Sequence, residues 1–388
     1  MKILHTSDWH VGKKLQGRER LVEQAEVLEE IKAVCESEGI ELVLIAGDVF
    51  DTYTPSAEAE ELFYEKVKKI AGEERAVLII SGNHDDGVRL SAVAPLSEEQ
   101  GIYVVGNARL GLSCKDTARK IKAIQSGKGY AIFTNENGEQ VYISMLPYPN
   151  EARFKEEKSE LSYIERMQGW IAEGESAREA GMPSIFMAHV FIAGGKVSES
   201  EREIDLGGAR AIPVSALPRT DYIALGHLHK KQRMGENCYY SGSPLQYAFD
   251  ESADKSVKVF NLTQKGVEDL RDVPLKSGRK LVRLQAETVE NALALLEEYK
   301  EAYVELTLIL DAPLTKENSV QLTANENLVS LHTEVRATEE EILFSRKTLT
   351  DGELFDSFYD YLYKTEAKAE LKSLFLSTIN ELEEGGES

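Results

Sequence analysis

The sequence predicts a layered α/β domain, followed by a smaller α+β domain and a helical tail, and three observations carry that prediction. Over roughly the first 230 residues, short apolar runs of strand length alternate with amphipathic segments. Each of five such runs is followed within a few residues by Asp, Asn or His. Beyond about residue 278 the runs instead alternate apolar and polar residues, and from Asp351 onward only helical periodicity remains.

Taken in order, Ile3 to Thr6 reads as the first strand. Leu21, Ala25, Leu28, Ile31 and Cys35 then recur at helical spacing. Leu42 to Ala46 is a second strand, and Ala59, Leu62, Lys66 and Ile70, with Phe63 and Val67 alongside, mark a second helix. Thr54 is the expected cap of that helix and Pro55 its first turn, where a missing N–H costs nothing. Val77 to Ile80, Ser184 to Ala188 and Tyr222 to Leu225 are further strands, with short strands between 103 and 150 and a turn at Asn137-Gly138. The character changes near Pro274 to Lys280. Thr288 to Lys300 reads as a helix with Val289, Leu293, Leu296 and Tyr299 on one side, and Val304 to Leu310 and Val329 to Val335 as strands with one polar face. The expected division is therefore 1–275, 276–350 and 351–388. The last part forms two amphipathic helices, one bearing Leu354, Phe355, Phe358, Tyr361 and Leu362, the other Leu371, Leu374, Phe375, Thr378, Ile379 and Leu382.

Composition bounds the function. In 388 residues, 67 acids against 45 bases leave a net charge of −22, which argues against an unaided, non-specific nucleic-acid binder. Cys35, Cys114 and Cys238 are odd in number and scattered, so neither a disulfide framework nor a zinc ribbon is expected, and a reducing compartment fits. The N-terminus lacks the apolar stretch of a signal peptide, and no run approaches the ~20 apolar residues of a membrane span, so a cytoplasmic location is expected.

The chemistry lies at the strand ends. Asp8 and His10 follow the first strand, Asp48 follows Gly47 after the second, and Asn83, His84 and Asp85 follow Gly82 after the third. His189 follows the fourth, and His227 and His229 follow Gly226 after the fifth. Ligands gather outside the carboxyl ends of strands in α/β sheets, so five such loops can meet at one point. Imidazole, carboxylate and amide oxygen without thiolate suit manganese, iron or zinc in a two-metal hydrolytic centre. A lone histidine is more often structural than a ligand, but five of the seven histidines fall in these loops. Asp48, isolated on its own strand end, is the best candidate to bridge two ions, and the three preceding glycines leave room for backbone and metal to approach.

The set Asp8-Trp9-His10, Gly47-Asp48, Gly82-Asn83-His84-Asp85, His189 and Gly226-His227-Leu228-His229 resembles the signature of the calcineurin-like metallophosphoesterases. Within them, the opening Ile3 to His10, the run Ala46 to Asp51 and the run Tyr240-Ser241-Gly242-Ser243-Pro244 are similar to the SbcD family of bacterial DNA-repair nuclease subunits. The resemblance implies a four-layer α/β/β/α sandwich with a DNA-facing cap and a partner-docking tail. It implies one ion on Asp8, His10, Asp48 and His229, and a second on Asp48, Asn83, His189 and His227. His84 would assist the leaving oxygen, with Asp85 orienting its ring. It further implies two Mn2+ ions (with Mg2+, Fe2+ or Zn2+ as alternatives), an SbcC-like coiled-coil ATPase partner, a homodimer within a heterotetramer, and exonuclease and endonuclease action on DNA ends, hairpins and blocked ends. A phosphatase or small-molecule phosphodiesterase on the same site is the alternative.

The remaining candidates carry blander expectations. His5 should pack beneath the site, and His332 should be solvated on a polar strand face. Trp9 is expected to pack, and Asp51 and Asp86 to serve as turn residues. Lys13, Lys14 and Arg18 after the first ligand loop, and Lys230 and Lys231 after the last, are the candidate DNA contacts; Arg20, Arg233, Arg279 and Lys280 complete the basic clusters.

Overall fold

A computed structural model describes residues 1–149, 161–201, 210–336, 350–363, 365 and 367–384. The chain opens with β1 (Lys2–Thr6), α1 (Leu21–Glu38), β2 (Leu42–Ala46), α2 (Ala57–Ala71) and β3 (Ala76–Ile80). Two short helical turns, α3 (Gly87–Ser91) and α4 (Ala94–Ser97), lead to β4 (Ile102–Val105). There follow β5 (Lys122–Gly127), β6 (Tyr130–Thr134), β7 (Gln140–Leu146), α5 (Tyr163–Glu175), β8 (Ser184–His189) and β9 (Tyr222–Gly226). Then come β10 (Gln232–Arg233), β11 (Cys238–Tyr240) and the hairpin of β12 (Ser256–Thr263) and β13 (Gly266–Pro274).

These strands build two sheets, ordered β13-β12-β1-β2-β3-β4 and β10-β11-β9-β8-β7-β6-β5. β1 to β4 are parallel to one another, as are β7, β8 and β9, so their carboxyl ends deliver the following residues to a common edge. The apolar runs are continuous because both faces of each strand are covered. On β2 and β3, Val43, Ile45, Val77 and Ile79 pack on Val27, Ile31, Phe63 and Val67 of the two long helices. Their alternates Leu42, Leu44, Leu78 and Ile80 pack between the sheets against Ile143, Met145, Ile185 and Met187. On the far side, Phe186 and Ala188 meet Met167 and Ile171 of α5. Three cores between helix, sheet, sheet and helix are the expected four layers.

One cap differs from expectation for a local reason, while the expected turn is found. α2 is capped by Ser56, whose extended backbone lets its hydroxyl accept from the Ala59 N–H (3.3 Å), while Thr54 and Pro55 lie before the helix. The Asn137-Gly138 turn joins β6 and β7, with the Gly138 N–H donating to the Asn135 carbonyl. In the β12–β13 hairpin the alternation is broken by a register shift between Val259 and Asn261.

Further on, β14 (Leu281–Ala286), β15 (Tyr303–Leu310) and β16 (Leu328–Val335) form a three-stranded sheet, with α6 (Val289–Glu298) and α7 (Lys316–Thr323) between them. The chain divides into two compact units: Met1–Leu284 with Leu295–Glu305 and Glu326–Ser330, and Gln285–Ala294 with Leu306–Asn325 and Leu331–Ser388. In the second unit α8 (Asp351–Tyr363) and α9 (Ala369–Glu384) pair through Phe355 stacked on Phe375 (4.5 Å between centroids) and an ion pair of Lys372 with Asp356. Phe358, Leu371 and Leu374 stay exposed, whereas Tyr361, Leu362 and Leu382 fall outside the described side chains.

Candidate metal centre

The five strand ends meet. Asp8, His10, Asp48, Asn83, His189, His227 and His229 are all buried, although each is polar or charged. Asp8, His10, Asp48 and His227 adopt positive φ angles of 54°, 44°, 49° and 111°. Such conformations are costly for residues bearing a side chain and persist only where the surroundings enforce them. Here the loops brace one another: the Asp8 N–H donates to the Gly47 carbonyl (3.0 Å) and the His10 N–H to the Asp48 carbonyl (2.9 Å).

Asp48 stands at the middle. Its Oδ1 accepts the His84 N–H (2.8 Å), while Oδ2 lies 3.5 Å from His10 Nε2 and 3.4 Å from His189 Nε2. On one side the ligand atoms of Asp8, His10 and His229 cluster within 4.8 Å; on the other, those of Asp8, Asp48 and His189 do so, and His10, Asp48 and His84 form a third such group. Asn83 Oδ1 joins the second side, 2.9 Å from His189 Nε2 and 3.0 Å from His227 Nδ1. The glycines serve this crowding, though what approaches them is a neighbouring ligand loop. A Cβ at Gly82 would collide with Asp48 Oδ1 and N, and one at Gly226 with the Ala46 carbonyl.

The electrostatics suit a bound cation. Burial lowers the His10 and His227 rings to about 3, so at neutral pH each ring is neutral and keeps an electron pair on one of its nitrogens. His189 and His229 go the other way: burial would lower both, but for His189 the Asp48 carboxylate, then Asp8, outweigh it and raise the ring to about 9, and for His229 the Glu251 carboxylate outweighs it and raises the ring. The crevice thus stabilises positive charge at the point between the two carboxylates. His189 donates its Nδ1 proton to the Ala46 carbonyl (2.8 Å), which turns Nε2 inward. Among the described residues the buried His10 Nδ1 has no close hydrogen-bond partner; the Asp51 carboxylate stands 3.5 Å from it. Nitrogen and oxygen donors without thiolate, converging on a cation-favouring crevice, fit divalent metal.

The calcineurin-like phosphoesterase model matches residues 1–231, the span that carries all seven of these side chains. The chain is 37% identical over 300 residues to the SbcD subunit of the nuclease SbcCD from Bacillus subtilis, covering 74% of this chain and 72% of that protein. It is 32% identical to the Rhodobacter capsulatus protein of the same name over the same shares, and 25% identical to the Escherichia coli one over 98% of each. The chain belongs to the SbcD family of calcineurin-like phosphoesterases.

In this phosphoesterase His84 is the least buried of the loop histidines, its ring edge-on to His10 at 4.7 Å. Asp85 was expected to orient that ring; the hydrogen bonds described for it run to backbone N–H groups. Its carboxylate accepts the N–H groups of Val49 (3.1 Å), Phe50 (2.9 Å) and Gly82 (2.8 Å), tying the second ligand loop to the third. The His84 ring is held instead by the Asp51 carbonyl, 2.7 Å from Nδ1. A carboxylate just beyond a strand end is equally suited to accept from backbone, here Gly82 of its own loop and Val49 and Phe50 of the neighbouring one. Asp51, expected as a turn residue, therefore sits at the site through both its carbonyl and its carboxylate.

His5 accepts from the Tyr222 hydroxyl (3.0 Å) and donates to the Leu225 carbonyl (3.1 Å), beneath the centre as expected. Trp9 is buried against Phe63, so its ring is not available to stack on a base. His332 lies on the exposed stretch of β16. Asp86 caps α3. Two groups escaped the sequence reading. Tyr148 stacks 6.4 Å from the His227 ring, and Ser200, Glu201 and Glu251 surround His229; no motif spacing marks any of them.

The basic candidates are engaged within the chain. Lys13 pairs with Asp51 (2.8 Å), Lys14 with Glu19, Lys230 with Asp250 (2.8 Å) and Lys231 with Asp272 (3.8 Å). Arg18 donates to the carbonyls of Glu326 and Leu328. Among the described residues no helix is long and apolar enough to cross a membrane.

Proposed function

We propose that this chain is the metal-dependent nuclease component of an SbcCD-type complex, hydrolysing phosphodiester bonds at DNA ends, hairpins and blocked ends. The observation that carries the reading is the convergence of seven metal-capable side chains from both sheets in a chain whose relatives are nuclease subunits. Asp8, His10, Asp48 and His229 would hold one divalent ion and Asp48, Asn83, His189 and His227 a second, both manganese, with Asp48 shared. When bound, such a pair supplies Lewis-acid charge for the phosphoryl oxygens and acidifies a water at neutral pH.

The residues do the rest. The His84 Nδ1 must carry a proton, because its partner, the Asp51 carbonyl, can only accept. Its Nε2 is then the nitrogen that exchanges a proton with the leaving oxygen or steadies charge there. Asp85 keeps the loops of Asp48 and Asn83 together: it accepts from Val49 and Phe50 across the loops and from Gly82 within its own.

The division at 275 and 350 assigns the middle part to a DNA-facing cap and the last helices to docking on an SbcC-like coiled-coil ATPase, within a complex holding two copies of this chain. Exposed Phe358, Leu371 and Leu374 support that docking role; Phe355 and Phe375 do not, since they close on each other. The test is a manganese-dependent assay on hairpin and linear DNA, with and without the ATPase and ATP. Cleavage that depends on manganese and rises with the partner is expected. Turnover of cyclic or monoester phosphates with no action on DNA would overturn the reading.

A further inference from the structure

Behind His229 lies a buried polar chain that no ligand motif includes. The Glu251 side chain is fully buried, and its Oε2 accepts from Lys255 Nζ at 2.5 Å. Lys255, itself buried, also donates to Ser243 Oγ (2.8 Å) and to the His229 carbonyl (3.2 Å). The other Glu251 oxygen, Oε1, accepts from Ser200 Oγ (2.9 Å) and lies 3.2 Å from His229 Nδ1. Ser200 Oγ is 2.7 Å from the same Nδ1.

The direction of these bonds follows from counting protons. An ionised carboxylate only accepts, and a hydroxyl has one proton to give. The carboxylate beside Nδ1 calls for a proton there, and Ser200, whose hydroxyl donates to Glu251 Oε1 and also meets Ser198 Oγ (2.8 Å), then accepts from the ring. Both neighbours of Nδ1 are then acceptors, and the imidazole proton belongs there. Nε2 is left with its electron pair aimed at the centre, 3.0 Å from His10 Nε2. We propose that Glu251, backed by Lys255, is a positioning residue that fixes the tautomer of His229 and thereby makes it competent to bind metal; this rests on the reading of His229 as a ligand. The role is that of the carboxylates that orient metal-binding histidines, whose loss costs about 10–100-fold in metal affinity.

Lys255 makes the test sharp. In Glu251→Gln the amide oxygen must face the Lys255 ammonium, which has only protons to offer, so the NH2 group faces Ser200 and His229. Nδ1 then meets donors, the ring proton moves to Nε2, and one metal position loses its electron pair. Titration calorimetry with Mn2+ alone should show one site weakened about 10–100-fold in Glu251→Gln while the other is unchanged. In His229→Ala the same site should be weakened, and adding Glu251→Gln to it should cost nothing more, because the glutamate acts through the histidine. Loss in His229→Ala but none in Glu251→Gln, or additive losses in the double variant, would overturn the proposal. Unaltered Mn2+ binding by His229→Ala would overturn the ligand reading and the proposal with it. If Glu251→Gln fails to fold, 15N spectra of histidine-labelled wild-type protein without metal, above the titration of the ring, decide the matter. A proton on Nδ1 of His229 supports the assignment, and a proton on Nε2 overturns it.

Discussion

Gly82→Ala is the smallest change that should disable the centre without touching a ligand. A Cβ built on Gly82 lies within 2.7 Å of Asp48 Oδ1, N and Cγ together, inside the 3.0 Å that real Cβ contacts respect. Neither neighbour can yield cheaply. The Asp48 N belongs to the backbone just beyond β2, and Oδ1 is already held by the His84 N–H at 2.8 Å. Relief therefore requires the second and third ligand loops to part by on the order of 1 Å, against the two N–H bonds, from Val49 and Phe50, that Asp85 accepts across them. Overpacking of this kind costs about 1–3 kcal/mol of stability, and a misplacement of about 1 Å costs roughly 10²-fold in rate. The expected variant is folded, melts a few degrees lower, and cleaves hairpin DNA with kcat reduced about 100-fold. Thermal unfolding, Mn2+ titration and single-turnover cleavage would check each part. Wild-type cleavage and Mn2+ affinity in Gly82→Ala would show that the loops are compliant and that the crowding around Asp48 is not functional.

His84→Ala should retain both metal positions while cleavage falls about 10²–10⁴-fold, whereas Asp48→Ala should lose metal and activity together; elemental analysis beside the cleavage assay separates them. His5 has its ring lowered from 6.5 to about 3, burial being the chief cause. The unfolded chain therefore binds the extra proton between those values, so the stability His5 contributes is present above about pH 6.5 and is lost as pH falls towards 3. The slope is up to about 1.4 kcal/mol per pH unit, and unfolding of His5→Gln followed from pH 7 to 4 should lack that increment. For the isolated chain on duplex DNA, the log–log salt dependence should be shallower than about −2, because Lys13, Lys14, Arg18, Lys230 and Lys231 are already engaged. A slope near −4.5, as five free phosphate contacts would give, would contradict it.

Much of the fold and the centre is legible in the sequence because both obey local rules. β2 is a run of five apolar residues buried on both faces, and its ends are marked by the turn before Leu42 and by Gly47 after Ala46. The ligands are legible for the same reason: each follows its strand at short range, and the parallel arrangement brings the ends together. What escaped depends on contacts distant in sequence. Glu251 reaches His229 across 22 residues and Asp85 reaches Phe50 across 35, with partners chosen by packing and not by spacing. Thr54 and Ser56 both suit the α2 cap by residue type; the helix starts at Ala57, and it is the Ser56 hydroxyl that meets the Ala59 N–H.

The net charge of −22 gains a structural meaning from the same contacts. Acidic residues bind most of the cations near the centre: Asp51 holds Lys13, Asp250 holds Lys230, and Glu251 holds Lys255. The positive charge left at the crevice is then chiefly what its buried carboxylates attract, as the raised His189 ring shows. A phosphodiester would be drawn to the centre by metal more than by side chains, with little grip along the flanking strand. Such a site hydrolyses what is placed in it but does not hold a long polyanion in register. Among the described residues the named cations give little such grip, which is the reason the proposed assay is run with and without a partner.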